Sequence, residues 1–137
     1  MKFISPPFRV KYSDTDQMGF VHHSNYLKFF ENARISWLRE LGVSYKKIEE
    51  DGILMPVVSS NLKHIKPSFF DDQLCVEVYL TKPPKASIDF IYNVHNQNKK
   101  LICKGSTRIA FLNSKSQRPI RCPDFLSSLF AESFFKE

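Results

Sequence analysis

The sequence predicts an α+β domain in which an antiparallel sheet is wrapped around one long central helix. Apolar residues recur at helical spacing over residues 24–41, which predicts the helix. After Pro56 the pattern changes to alternation with a period of two, in successive segments separated by turn residues. Strands that follow one another through hairpins pair antiparallel, and one long helix against such a sheet defines the class.

Length and composition favour a single domain over residues 1–137. A chain of 137 residues with 42% apolar residues can bury a core without metals or disulfides. Three widely spaced cysteines, an odd number, indicate free thiols in a reducing compartment. The N-terminus does not resemble a signal peptide, and no apolar run is long enough to span a membrane, so we expect a cytoplasmic protein.

The net charge of +6, from 20 basic and 14 acidic residues, favours an anionic ligand or partner. The basic residues are scattered and form no dense run, so a solvated basic surface explains the charge equally well. Aromatic and basic residues do not repeat together as they do on nucleic-acid-binding surfaces. We therefore expect no nucleic-acid partner.

The first half of the chain predicts a strand, a loop and the long helix. Residues 8–13 alternate between apolar and polar and indicate a half-buried strand, and residues 14–23 form a loop. Ser24 or Asn25 can cap the helix, and Gly42 stands where a left-handed C-cap would end it. The apolar face is wide enough to be wrapped by other structure, and comprises Tyr26, Leu27, Phe29, Phe30, Ala33, Trp37, Leu38 and Leu41.

The second half predicts a short capped helix over residues 44–50, several strands and a final helix. The strands cover residues 57–65, 74–80, 88–94 and 101–112, with a turn at residues 67–72 before the second of them. A final short helix is expected after Pro123.

Acidic residues and histidines are concentrated in the loop before the long helix. Carboxylates and imidazoles at this place form a candidate catalytic constellation, because a helix N-terminus carries free N–H groups and partial positive charge. Taken alone, Asp16 fits equally well a loop residue that caps a turn, and His22 and His23 fit ordinary loop packing. Adjacent histidines rarely bind one metal ion and no further ligand spacing appears, so we expect no metal site.

The pattern D-T-D-x-x-G-x-V-x-H-x-N-Y, which begins at Asp14, is followed by F-F-E-x-A-R in the helix. This combination resembles the hotdog-fold acyl-CoA thioesterases, and more narrowly the 4-hydroxybenzoyl-CoA thioesterase and YbgC-like group. Segments at residues 55–59, 67–72, 85–87 and 118–123 are similar to the same family. The resemblance covers roughly residues 8–127 and implies hydrolysis of an acyl- or aroyl-CoA thioester.

The resemblance implies a catalytic role for Asp16, either as nucleophile or as the base that activates water. It implies that the backbone N–H of His23 polarises the thioester oxygen, with the ring secondary. Asp14 is expected to tie the loop by hydrogen bonds, and Gly19 to permit a positive φ or a close approach. His22 stands where Tyr is common in the family, which leaves its role open.

The resemblance also implies substrate-binding residues: Tyr26 in the pocket wall, Val57, Val58 and Ser59 along the pantetheine arm, and Lys85 at the phosphates. Coenzyme A enters only as part of the substrate, so no cofactor is expected. Family members form homodimers or homotetramers with the site between subunits. An open antiparallel sheet has edge strands with unpaired backbone groups, which agrees with pairing between subunits. The sequence does not distinguish dimer from tetramer.

Two other readings remain open. A hotdog hydratase or dehydratase acting on enoyl thioesters needs a different placement of acid and histidine, and the D-T-D motif disfavours it. The second alternative, from another functional class, is a protein that binds acyl thioesters without hydrolysing them.

Glu31 and Arg34 fit an ion pair one helical turn apart, and Glu31 could alternatively face the site. The acyl group cannot be read from the sequence, because apolar pockets discriminate weakly per methylene.

Overall fold

A computed structural model describes the backbone of residues 2–135 and the side chains of residues 2–132. The predicted boundaries of 1–137 therefore include three terminal positions outside the described residues. The elements are β1 (Lys2–Ile4), β2 (Phe8–Arg9), a 3₁₀ turn (Tyr12–Asp14), α1 (Ser24–Glu40), α2 (Tyr45–Glu50), β3 (Ile53–Leu54), β4 (Val57–His64), β5 (Gln73–Tyr79), β6 (Ser87–His95), β7 (Leu101–Ala110), β8 (Leu112–Asn113) and α3 (Asp124–Phe135).

The main sheet is antiparallel, with strand order β1-β5-β6-β7-β4 and with β2 also paired to β5. Strands β6 and β7 form the centre, with Ser87 opposite Ala110 at one end and His95 opposite Leu101 at the other. Strand β4 lies at an edge and pairs only with β7 among the described residues. Its outer edge is therefore free to pair with another strand.

The long helix packs on the buried face of this sheet. Its residues Tyr26, Phe30, Ala33 and Trp37 are buried, as the helical spacing predicts. The Phe30 ring stacks on Tyr92 of β6, with ring centroids 4.2 Å apart and an angle of 4° between the planes. The sheet contributes alternating side chains that are buried in the same core: Leu74, Val76, Val78, Ile88, Phe90, Tyr92, Val94, Ile102 and Ile109.

A glycine in β7 allows Phe30 to approach the sheet closely. A Cβ placed on Gly105 would lie 2.6 Å from Cζ of Phe30 and 2.9 Å from the carbonyl oxygen of Asn61. Both distances are well inside van der Waals contact. A side chain fits at this position only if both the aromatic ring and the Asn61 carbonyl group shift, so Gly105 is required by packing rather than by backbone conformation.

The first predicted strand is shorter than the alternation suggested. Only Phe8 and Arg9 pair with β5, and the chain then turns into the 3₁₀ segment, which leaves Tyr12 77% exposed. The turn forms because the backbone N–H of Lys11 donates to the Asp14 carboxylate at 2.9 Å. Local hydrogen bonding therefore overrides the alternating pattern after Val10.

Other elements differ from prediction at their ends. Ser24 and Asn25 lie inside α1, and His23 occupies the N-cap position. The predicted strand 101–112 ends at Ala110, because the chain then pairs as β8 with β3. Strands β1, β3 and β8 are too short for alternation to reveal them. Gly42 ends the helix region with a φ of +85°, as predicted.

All three cysteines are free thiols, as predicted. Burial raises the pKa of Cys103 and of Cys122 to about 11, which makes both poor nucleophiles near neutral pH. No helix within residues 2–135 is long and apolar enough to cross a membrane.

Candidate active site

An open cleft of about 330 Å³ lies at the start of α1 and contains Asp16. Its walls come from the loop before the helix, the first turn of α1, the end of β4 and the segment that follows it. The structure thus brings together three residues that the sequence predicted for the site, Asp16, His23 and Tyr26. The remaining lining residues are Met18, Phe20, Val21, His64, Ile65, Lys66 and Pro67.

The Asp16 carboxylate is held by the backbone of its own turn. Its Oδ1 accepts the N–H of Met18 at 2.9 Å and the N–H of Phe20 at 3.2 Å. Gly19, with a φ of +84°, closes the turn by donating to the carbonyl oxygen of Asp16 at 3.0 Å. Asp16 therefore does cap a turn, as the simpler interpretation expected. Its Oδ2, however, has no hydrogen-bond partner among the described residues and remains available for chemistry.

His22 caps α1. Its Nδ1 accepts the backbone N–H of Ser24 at 3.2 Å and lies 2.8 Å from the Ser24 hydroxyl. The carbonyl oxygen of His22 also accepts the N–H of Asn25 at 3.0 Å. The residue whose role the sequence left open is thus part of the helix start.

The backbone N–H of His23 is free at the positive end of the helix. The neighbouring N–H groups of His22, Ser24 and Asn25 all donate to acceptors. The N–H of His23 has no acceptor within residues 2–135. Its ring is exposed and stacks on His22, with centroids 4.1 Å apart. The main chain of His23 can therefore offer a donor to a developing negative charge, with support from the helix dipole.

Asp14 holds the loop against the helix, as predicted. Its carboxylate accepts the Lys11 N–H, while its carbonyl oxygen accepts the N–H of His22 and the side-chain amide of Asn25, both at 2.8 Å. Asn25 is 8% exposed, so its amide is used inside the protein. The loop and the first turn of α1 are therefore a single hydrogen-bonded unit.

Tyr26 forms the inner wall of the cleft. It is 3% exposed, its hydroxyl lies 2.9 Å from the Ser68 hydroxyl, and its ring meets His64 edge-on with centroids 5.4 Å apart. Burial raises the pKa of Tyr26, so the phenol stays neutral. Tyr26 is suited to shaping the cleft rather than to exchanging protons.

The other predicted substrate-binding residues lie away from Asp16 within one chain. Val57, Val58 and Ser59 begin β4, and His64 at the opposite end of that strand lines the cleft. His64 lies seven positions after Val57, which corresponds to about 23 Å of extended strand. Lys85 is exposed in the connection between β5 and β6, where its backbone pairs with Ser87 and Cys122.

His64 and Lys66 line the cleft but were not predicted. His64 ends β4 and Lys66 lies just after it, and only the docking of the loop before α1 onto the following turn brings them to Asp16. That docking consists of the Val21 N–H donating to the Ser68 carbonyl oxygen at 2.8 Å and a β-bridge between Phe20 and Phe69. Both contacts join residues that are far apart in the sequence, so local periodicity does not predict them. No cluster of potential metal ligands occurs among the described residues.

Comparison with known proteins identifies the class of enzyme and the family. Residues 10–130 match the thioesterase-like superfamily, and the chain belongs to it. The chain is 30% identical to the acyl-CoA thioesterase YbgC of Haemophilus influenzae over 90% of its own length and 91% of that protein. It is 25% identical to the acyl-CoA thioester hydrolase YbgC of an Escherichia coli strain, over 92% and 94% of the two chains.

Solved structures agree with this assignment. The DHNA-CoA thioesterase from Staphylococcus aureus superposes with a TM-score of 0.88 at 28% identity, covering 98% of this chain and 89% of that one. The predicted hotdog fold, the family resemblance and the thioester hydrolase class are therefore confirmed.

Proposed function

We propose that the protein hydrolyses acyl- or aroyl-CoA thioesters with the Asp16 carboxylate as nucleophile or general base. The observation that carries the proposal is that the free Oδ2 of Asp16 belongs to the same cleft as His23, whose N–H is also free. The Asp16 carboxylate can attack the thioester carbon or activate water, and the His23 N–H can bind the thioester oxygen as it becomes negative.

The reaction requires little else from the protein. Attack on the thioester carbon moves charge onto its oxygen, which the His23 N–H and the helix dipole stabilise. The C–S bond then breaks, and the thiolate leaves without a strong general acid because an ordinary thiol has a pKa of ~8.5. If Asp16 is the nucleophile, water next hydrolyses an acyl–aspartyl anhydride. A burst of thiol release before steady-state turnover distinguishes this covalent route from direct attack by water.

The proposal includes a homodimer, because a second chain would complete the site. Val57 and Val58 are 46% and 56% exposed on the free edge of β4. An antiparallel pairing of two β4 strands would bring the start of one strand, with Val57 and Val58, near the end of the other, where His64 lines the cleft. The strand expected to hold the pantetheine arm then lies beside the Asp16 cleft. Further pairing into a homotetramer remains open.

We propose that Lys85 binds the phosphates of the CoA substrate. Ser59 borders a shallow groove with Lys82, Asp89 and Arg108. Arg108 donates to both carboxylate oxygens of Asp89, at 2.9 and 3.1 Å, and Lys82 lies 3.5 Å from the same group. The charges of Arg108 and Lys82 are therefore partly compensated. Lys85 has no carboxylate within ion-pair distance among the described side chains, so its charge is available to an anion.

Free thiol release from a panel of short-chain, long-chain and aromatic acyl-CoAs tests the proposal. We expect release from at least one class, with the acid as the second product. A protein that binds these thioesters but releases no thiol from any of them is a binding protein instead. Hydration of an enoyl thioester with the C–S bond intact would favour the hydratase reading.

A further inference from the structure

A second cavity, of about 570 Å³, lies on another flank of α1. It separates the N-terminal segment from Lys28, Phe29 and Asn32 on the helix. Tyr26, which lines the Asp16 cleft, points about 200° away from Lys28 around the helix axis, at ~100° per residue. The two cavities are therefore distinct. The second has the volume usual for small-molecule sites, ~300–1,000 Å³.

The apolar side of this cavity is rigid. Ser5 is anchored to β5, because its N–H donates to the Val76 carbonyl oxygen at 2.8 Å and its hydroxyl accepts the Val76 N–H at 2.9 Å. Pro6 and Pro7 follow, each with a restricted φ. The Phe8 ring packs on Phe29 with centroids 4.9 Å apart. An apolar ligand would therefore meet a preformed wall and would order little of the protein on binding.

Cationic side chains also line this cavity. Lys11 and Lys28 line it, and neither has a carboxylate within ion-pair distance in the part of the chain that the structure describes. Arg9 also lines it and pairs loosely with Asp71, at 3.5 Å. The carboxylate that borders the cavity, Asp14, already accepts the Lys11 backbone N–H. A neutral N–H does not cancel the charge of Asp14, so three cationic side chains and one carboxylate line the cavity beside its apolar residues.

We propose that this cavity binds an amphipathic carboxylate, that is, a free carboxylic acid with an apolar chain or ring. The chain would lie against Phe8, Phe29 and the two prolines, and the carboxylate would pair with Lys11 and Lys28. A cationic amphiphile would meet like charge, and a neutral one would leave both lysines unpaired. The inference holds whether or not the protein hydrolyses thioesters.

Titration calorimetry with decanoate, together with ¹H–¹⁵N chemical-shift mapping, tests the inference on the full-length protein. Saturable binding is expected, with shift changes at Lys11, Lys28 and Asn32. Decanol and a decyl ammonium salt should bind at least tenfold more weakly. The Lys28→Glu variant should weaken decanoate binding at least tenfold, whereas Lys115→Glu, a matched change at an exposed lysine outside the cavity, should leave it unchanged.

A second variant tests the volume. Asn32 is exposed at the cavity wall on α1, so Asn32→Trp should fill the opening without loss of helix content and abolish decanoate binding. The inference is overturned if decanoate does not bind, if Lys28→Glu binds it as tightly as wild type, or if the shifts are confined to the Asp16 cleft. A change of oligomeric state in Asn32→Trp would also overturn it, because the surface would then be an interface between copies of the chain.

Discussion

Nδ1 of His22 accepts the backbone N–H of Ser24, so an imidazole caps α1 where the sequence suggested a hydroxyl or an amide. The cap leaves the N–H of the intervening residue, His23, without an acceptor among the described residues. Two adjacent histidines thus have different tasks. One fixes the helix start, and the other presents its main chain to the cleft.

This division predicts the effect of two substitutions at His22. His22→Ala removes the cap and should lower the free energy of unfolding by about 1 kcal/mol. His22→Asn keeps an acceptor at a similar position and should recover most of that loss. Urea unfolding of the three proteins measures both effects. Equal stability of wild type and His22→Ala would show that the Ser24 N–H does not depend on this ring.

We predict that any side chain at position 105 destabilises the protein as long as the Phe30 ring stays stacked on Tyr92. Gly105→Ala should cost ~1–3 kcal/mol, because the new methyl group forces the ring off Tyr92. Ser106→Ala, the neighbouring change on β7, serves as control and should cost much less. The double variant with Phe30→Leu should show coupling between the two sites. Strictly additive free energies would mean that the ring is not the obstacle.

Lys85→Ala is predicted to raise KM for CoA esters more than it lowers kcat, since the lysine would bind the phosphates in ground and transition states alike. The effect should shrink at high ionic strength, which screens an exposed charge. Lys115→Ala, at an exposed turn, is the matched control. If KM in Lys85→Ala matches that of wild type, the phosphates bind elsewhere.

The free edge of β4 is predicted to join two chains. Val58→Glu places a charge at that edge and should produce a monomer with greatly reduced thiol release, because Asp16 would lose the partner strand. Phe125→Glu makes the same kind of change at a site that is 47% exposed on α3 and should leave the assembly intact. Light scattering measures the oligomeric state of both variants, and thiol assays measure their activity. A fully active monomeric Val58→Glu would show that one chain is sufficient.

The sequence predicted the elements better than the way they assemble. Helical spacing identified α1 because Phe30, Ala33 and Trp37 are buried by one sheet, and such burial imposes a period. The alternation in residues 8–13 predicted a strand that is too long, because Asp14 turns the chain through a local hydrogen bond. The motif predicted Asp16 and His23, and both line the same cleft. His64 and Lys66 could not be predicted, because they reach the cleft only through long-range contacts such as that between Val21 and Ser68.

The most direct test of the account is the rate of thiol release by Asp16→Asn. An asparagine keeps an oxygen that can accept the N–H groups of Met18 and Phe20, so fold and ligand binding should survive. It lacks the carboxylate oxygen that attacks or activates water, so turnover should fall by about 10²- to 10⁴-fold. Asp71→Asn, at an exposed turn position, should retain wild-type turnover. Wild-type thiol release by Asp16→Asn would contradict the assignment of the site.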